Sequence, residues 1–465
     1  MENFWGFNVW SFIFIITILL ASLLLANSLK KTIKFLRNSL IPTPVLGGII
    51  LLIITSVYFA ITGKVMFDTN IFGGNGMETL EIITYHTLAL GFIASSLKNS
   101  DKKQTKQRTR EIFNSGVTTV STYVLQAIFG MGITLLIALL INPDLFGSAG
   151  ILLCFGYGQG TGQAMNYGNI YETQYGFVGG KNFGLTIAAL GFLSASIGGV
   201  FHLNLMKRKG KISSRSDKVT ERQTLEEIQS SAEIPMNGRM DKITVQLAFI
   251  FLAYILAYFC MYGLGLILPG MKAVIYGFNF LIGVLTASLI KIIMKLLKKA
   301  KVLDKQYTNN FLLNRLSNFF FDLMIVAGIA AIRIDLIKQY WWVLLFIGIV
   351  GLIITYIYNR IVAKTLFKEY EDEQFLAMYG MLTGTASTGV ILLREIDGDL
   401  KTPAFDNLVF QTIPAIAFGF PLMFLATIAP EMPVITLIIL VAFFIVMNII
   451  LFRSLIFKKR EKIKN

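Results

Sequence analysis

The chain has 465 residues, of which 55% are hydrophobic and only 15% charged. A water-soluble globular protein carries about 25% charge, so the composition is that of a polytopic membrane protein and excludes an ordinary soluble enzyme. The formal net charge of +15 does not signal nucleic acid, because the basic residues sit in short clusters between apolar runs, the pattern of a membrane-orientation signal.

Apolar runs of 18 residues or more recur along the chain, the mark of spanning helices. The first is expected at about 9–29. No basic region precedes it and no small-residue cleavage pattern follows, so it reads as a retained helix rather than a signal peptide. Spans follow at about 41–62, which opens IPTPVLGG, at about 80–97 and at about 112–141. The stretch at about 150–170 breaks the pattern. Its centre, FGYGQGTGQAMNYG from Phe155 to Gly168, holds five glycines, two glutamines, a threonine and an asparagine. A span at about 182–206 comes next, then a charged segment, 207–242. The second half has spans at about 243–268, 273–297, 318–337 and 341–366, a second anomalous stretch at about 374–394, and spans at about 406–428 and 433–457. Cys154 and Cys260 both lie in apolar segments and imply no disulfide framework.

Charge tests the count. If both anomalous stretches enter and leave on one side, the basic loops alternate cleanly. The loops on one side, 30–38, 98–111, 207–242, 291–315, 359–404 and 453–465, then hold all of the 42 Lys and Arg residues except Lys64, Lys181, Lys272, Arg333 and Lys338. A full crossing by either stretch would flip every later loop and destroy the asymmetry. The positive-inside rule therefore makes both stretches re-entrant, with the N-terminus outside and the C-terminus cytoplasmic. The expected fold is an all-α polytopic membrane protein of two inverted five-span repeats, 1–206 and 243–430, each with a re-entrant hairpin. A cytoplasmic linker, 207–242, joins them, and an eleventh span with a basic cytoplasmic tail, 431–465, follows. LALGFIASSL in span three and MIVAGIAAIRI in span eight occupy equivalent positions, as do GQGTGQA and LTGTASTG in the hairpins.

Non-helical backbone is tolerated at membrane depth only where protein buries it or a watery cavity receives it. GYGQGTG has four glycines in seven residues, each costing a helix about 1 kcal/mol relative to alanine. A broken helix instead offers free N–H groups to carboxylates and free carbonyls to cations. Gln159, Thr161, Gln163 and Asn166 add neutral amide and hydroxyl ligands, which suit a site that must load and release an ion. YGMLTGTASTGVILLREID repeats the design, with Thr383, Thr385, Ser387 and Thr388 around Gly384 and Gly389. Hard cations such as sodium take oxygen ligands of this kind, by analogy with calcium and magnesium. Arg394 has two readings, an anchor for an acidic substrate or a side chain snorkelling at the membrane edge. Glycine-broken segments at matching positions of two halves point to a secondary-transporter site. Helix-packing faces of the GxxxG type would need small residues at one spacing, not clustered hydroxyls and amides.

Other classes find less support. FGYG has part of the potassium-filter motif, but its Thr-Val is missing and the second stretch has no GYG. There is no HExxH and no GxxxxGK[ST], so neither an embedded protease nor ATP is expected, and a gradient must do the driving. His86 and Asp322 are lone intramembrane ionisable residues. Each could serve a proton- or cation-coupled carrier, or be a hydrogen-bonded packing residue and a membrane-edge ion pair respectively.

IPTPVLGG, GQGTG and TGTASTG followed by LLREID together resemble the sodium/glutamate symporter family, from about residue 9 to about 430. The resemblance implies a homodimer of inverted repeats that carries L-glutamate inward with sodium by an elevator-like movement, with no organic cofactor. Gly158, Gly160, Thr161 and Gly162 match the family's first hairpin motif, and Gly384 and Thr388 match the second in outline. Gln159 stands where the best-known members have His, Gln163 where they have Ala, and Ser387 where they have Pro. Those members also end after ten spans. The alternatives are a proton- or sodium-coupled carrier of another carboxylate, and a cation channel.

Overall fold

The computed structural model describes residues 3–98, 105–210, 240–302, 305–398 and 402–456. Residues 211–239 of the expected linker and 457–465 of the expected tail lie outside the described residues. Within the described residues the architecture is all helical. In chain order the longer helices are α1 (Phe7–Thr32), α2 (Thr43–Thr62), α3 (Gly76–Ser96), α4 (Lys106–Leu140), α5 (Leu152–Gln159), α6 (Thr161–Tyr175), α7 (Gly180–Arg208) and α8 (Lys242–Ile267). They continue with α9 (Asn279–Lys299), α10 (Asn310–Ala330), α11 (Trp341–Leu366), α12 (Glu371–Thr383), α13 (Ala386–Arg394), α14 (Pro403–Phe410), α15 (Thr412–Ile428) and α16 (Pro433–Leu451).

Among the described residues nine helices are long and apolar enough to cross a membrane, or ten if the pair α14 and α15, bent by 46°, is one span. Every expected span falls on a helix. The span expected at about 80–97 is α3, which is not among the nine. Glu81, Thr84, Tyr85, His86 and Thr87 make it too polar, although its length suffices.

Helix ends follow from local chemistry. The Thr105 side chain accepts the Arg108 N–H at the start of α4, at 3.3 Å. The Asp241 carboxylate accepts the Ile243 and Thr244 N–H groups at the start of α8, at 2.8 and 3.2 Å. Pro403 and Pro433 open α14 and α16, where a missing N–H is harmless. α2 stops at Gly63, with φ +66°.

The chain divides into two compact units. The first holds the start of α1, then α3, α8 and α9, and α10 as far as Ala327. Its core joins Leu90, Ile93 and Ala94 of α3 to Ile250, Ala253, Ala287, Ile290, Leu313 and Phe320. The Lys291 ammonium donates to the Ser96 and Lys98 carbonyls at 3.0 and 2.7 Å, so a cation closes the C-terminal end of α3 as the helix dipole favours. The second unit holds the rest of α1, α2, α4 to α7 and α11 to α16. One of its cores gathers Leu203, Ala363, Phe375, Leu376, Tyr379 and Leu392.

Asp241→Ala removes the cap of α8 and is expected to cost about 1 kcal/mol. Amide exchange at Ile243 and Thr244 then speeds up about fivefold, while exchange in the middle of α8 stays unchanged.

Candidate functional site

Two helices of the second unit break and fold back on themselves. α5 ends at Gln159 and α6 starts at Thr161, with Gly160 between them at φ +83°, ψ −171°. Glycine alone adopts that backbone without strain. The fold-back stacks Phe155 on Tyr167, with ring centroids 3.9 Å apart. α12 ends at Thr383 and α13 starts at Ala386, with Gly384 and Thr385 between them. Here the two arms touch backbone to backbone. A Cβ on Gly389 would lie 2.4 Å from the Ala377 carbonyl oxygen, and one on Gly380 would lie 2.8 Å from the Gly389 Cα.

Neither N-cap residue, Gly160 before α6 or Thr385 before α13, makes a side-chain cap bond. At the other side of each break the last carbonyls of α5 and α12 have lost their helical donors. One turn of α4 supplies both. The Tyr123 hydroxyl donates to the Gly158 carbonyl at 2.8 Å. The Gln126 amide donates to the Leu382 carbonyl at 2.9 Å and to the Thr355 hydroxyl at 2.9 Å.

α7 lies against both broken helices through Gly184, Gly191 and Gly198, which share a face at seven-residue spacing. A Cβ at Gly191 would meet the Thr383 carbonyl oxygen at 2.7 Å and Tyr157 at 3.1 Å; one at Gly184 would meet the Ala164 carbonyl oxygen at 2.2 Å. One at Gly198 would meet the Tyr379 hydroxyl at 2.1 Å. Ser194 lies in the same seam. The Tyr157 hydroxyl donates to the Gly348 carbonyl at 2.6 Å, so the Ser194 hydroxyl, 2.8 Å away, donates to Tyr157. The Tyr379 hydroxyl donates to the Ser194 carbonyl at 2.8 Å.

At the base of the second break, Arg360 pairs with Glu371 at 3.0 Å and Asp372 at 2.7 Å. His202 lies 3.3 Å from Asp372 and 2.9 Å from the Tyr356 hydroxyl. The Tyr370 hydroxyl donates to Glu111 at 2.8 Å. Burial first, and that carboxylate second, push the hydroxyl well above its ordinary pKa.

The sequence-predicted residues divide. Gln159, Gly160, Thr161, Gly162 and Gln163 lie at the first break. Thr383, Gly384, Thr385 and Thr388 lie at the second, with the Thr385 and Thr388 hydroxyls 3.4 Å apart. Thr161, Gln163, Thr383 and Thr388 are buried. Gly158 belongs to α5, where a Cβ would lie 2.0 Å from the Tyr123 ring. Within the glycine run the break itself falls at Gly160, and Gly158 instead makes room for Tyr123. Gly389 serves the contact between the arms. Asn166, one turn into α6, donates to the Gln163 amide oxygen at 3.1 Å. The side chain of Ser387 lies outside the described residues. Arg394 is exposed at the last residue of α13, about 12 Å along the helix from its first. His86 and Asp322 belong to the first unit. His86 Nδ1 lies 2.6 Å from the Tyr254 hydroxyl, the hydrogen-bonded packing arrangement.

Sequence reasoning missed Tyr123, Gln126 and Ser194. The signal was the polar run on α4, Thr118, Thr119, Ser121, Thr122 and Gln126, all buried in a segment where polar side chains are expensive. Two of the predicted residues hold a further feature. The amide nitrogens of Gln159 and Gln163 are buried with no hydrogen-bond partner among the described residues.

The family model of the sodium/glutamate symporters matches residues 8–396. The chain belongs to the sodium/glutamate symporter family. The match runs from α1 through both broken helices to the end of α13, so this symporter is a sodium-coupled membrane transporter whose family-defining part contains the whole candidate site. α14, α15 and α16 lie beyond the matched residues. No curated relative matches the chain.

In the symporter, Tyr123→Phe leaves the Gly158 carbonyl without its donor and is expected to cost about 1–3 kcal/mol, read as a lower unfolding midpoint in detergent. Gly191→Leu drives a side chain into Tyr157 and the Thr383 carbonyl together, and is expected to abolish a cooperative unfolding transition.

Proposed function

We propose that this protein carries L-glutamate inward across the cell membrane together with sodium, by alternating access of the elevator type. The observation that carries the reading is the pairing, within one unit, of two uncapped broken helices with the partnerless buried amide nitrogens of Gln159 and Gln163. Helix-start N–H groups and amide donors suit a carboxylate. The hydroxyls of Thr161, Thr383, Thr385 and Thr388, with the carbonyl ends of α5 and α12, suit sodium. Arg394, at the far end of α13, is assigned to the membrane edge.

The order of elements supports the inverted repeats. α4, the first broken pair and α7 follow the same sequence as α11, the second broken pair and α14 with α15. The repeats are 1–206 and 243–430, with their hairpins re-entering from opposite faces, and α16 is an addition. Loop charge orients the N-terminus outside and the C-terminus in the cytoplasm, in a plasma or bacterial inner membrane. A homodimer follows from the family resemblance. Glutamate carries one net negative charge, so at least two sodium ions make uptake electrogenic. Each net positive charge then gains about 2.3 kcal/mol per 100 mV. A second reading, another carboxylate as substrate, is favoured by one observation: the partnerless donors belong to Gln159 and Gln163, the two positions that depart from the familiar hairpin motif.

Radiolabelled glutamate uptake into proteoliposomes tests the function. Uptake is expected only with an inward sodium gradient, and Thr161→Val and Thr388→Val each lower it about tenfold or more, as loss of a buried hydrogen bond predicts. No glutamate uptake under any gradient overturns glutamate and leads to a screen of other carboxylates. For the topology, Thr173→Cys is expected to react with an impermeant thiol reagent from outside the cell and Lys368→Cys only after permeabilisation. Labelling of both from one side overturns the inverted repeats.

A further inference from the structure

Two facing polar turns of the second unit retain acceptor oxygens that no group among the described residues serves. Thr122 and Gln126 are one turn apart on α4, and Thr355 and Asn359 one turn apart on α11. All four are at most 1% exposed. The Gln126 amide nitrogen donates to the Leu382 carbonyl and the Thr355 hydroxyl, both at 2.9 Å. The Asn359 amide nitrogen donates to the Thr355 carbonyl at 3.0 Å and the Thr122 hydroxyl at 3.4 Å. Main-chain carbonyls only accept, so these bonds decide which end of each amide is nitrogen. Oxygen remains in both cases. Gln126 Oε1 and Asn359 Oδ1 are buried and have no hydrogen-bond partner among the described residues.

Leaving a buried amide oxygen unserved is costly, and here two belong to one cross-bonded cluster. The cluster adjoins the last turn of α12, where the helix dipole is negative. It contains no carboxylate, whereas calcium and magnesium sites depend on carboxylates. We propose that Gln126 and Asn359, with the Leu382 carbonyl in the last turn of α12, form a binding site for a small monovalent cation of the sodium class, beside the second break. The proposal rests on the sodium-coupled reading and gives the ion a place that the hairpin motifs do not reveal. An ion there pulls α4 and α11 onto the end of α12, so cation binding orders the turn that presents Thr383.

The test is sodium binding to the purified full-length chain in detergent, without substrate. It is read as the unfolding midpoint against sodium chloride, with choline chloride holding ionic strength constant. A saturable rise is expected for the wild type. Gln126→Met and Asn359→Leu are expected to raise the half-saturating sodium concentration about tenfold or more, equivalent to about 1.4 kcal/mol. Gln126→Glu keeps the side-chain volume and puts a titratable group on the ion. Its half-saturating concentration is expected to fall as pH rises and the carboxyl ionises, a dependence absent from the wild type. This variant decides the matter if the apolar ones fail to fold. Wild-type sodium response in folded variants, with no pH dependence in Gln126→Glu, overturns the site: a buried water then serves the two oxygens and sodium coupling stands. Absence of any sodium-dependent rise in the wild type overturns the site and the sodium reading together.

Discussion

A helix broken in an apolar setting must find partners for the backbone groups that the break releases, and the second unit is organised around that requirement. Each break leaves carbonyls on one side and N–H groups on the other. On the carbonyl side one carbonyl of each break is served by protein: Tyr123 donates to Gly158 and Gln126 to Leu382 from a single turn of α4. On the N–H side the N-cap residues, Gly160 and Thr385, make no side-chain cap bond. The carbonyl ends are thus tied to a neighbouring helix by protein donors. Preorganisation of this sort matters in a carrier, because a site that had to assemble its dipoles on each cycle would lose binding energy to reorganisation.

A different helix couples the breaks to one another. α7 presents glycine to α5, α6 and α12 in turn, so three backbones approach at distances no side chain would permit. Ser194 then ties Tyr157 of one broken helix to Tyr379 of the other through its hydroxyl and its carbonyl. Displacement of one break relative to the other would leave buried hydroxyls unpaired, at about 1–3 kcal/mol each. The two breaks are thus tied to one another through Ser194.

Much of this was readable in the chain. Apolar runs of spanning length located the helices. Gly160, Thr161 and the LTGTASTG run marked the breaks, because a clustered change from apolar to glycine and hydroxyl has few other uses at membrane depth. Less was readable where a residue acts through a neighbour far away in sequence. Gly156 and Gly158 look like Gly160 in the chain, yet only Gly160 has positive φ; Gly158 is helical and exists to admit Tyr123. Arg394 follows the second motif closely in sequence, but the helix between them carries it to an exposed position.

The sequence by itself determined the all-helical membrane class, the placement of the spans and the location of both breaks, because each depends on local composition and hydropathy, which act over one helix length. Only the tertiary structure decided which helix serves the broken ends, which glycine marks a break and which are contacts, and that Gln126 and Asn359 share a cluster. Those outcomes depend on where main-chain carbonyls from segments more than two hundred residues apart, such as Gln126 and Leu382, come within hydrogen-bonding distance. No local pattern encodes that distance.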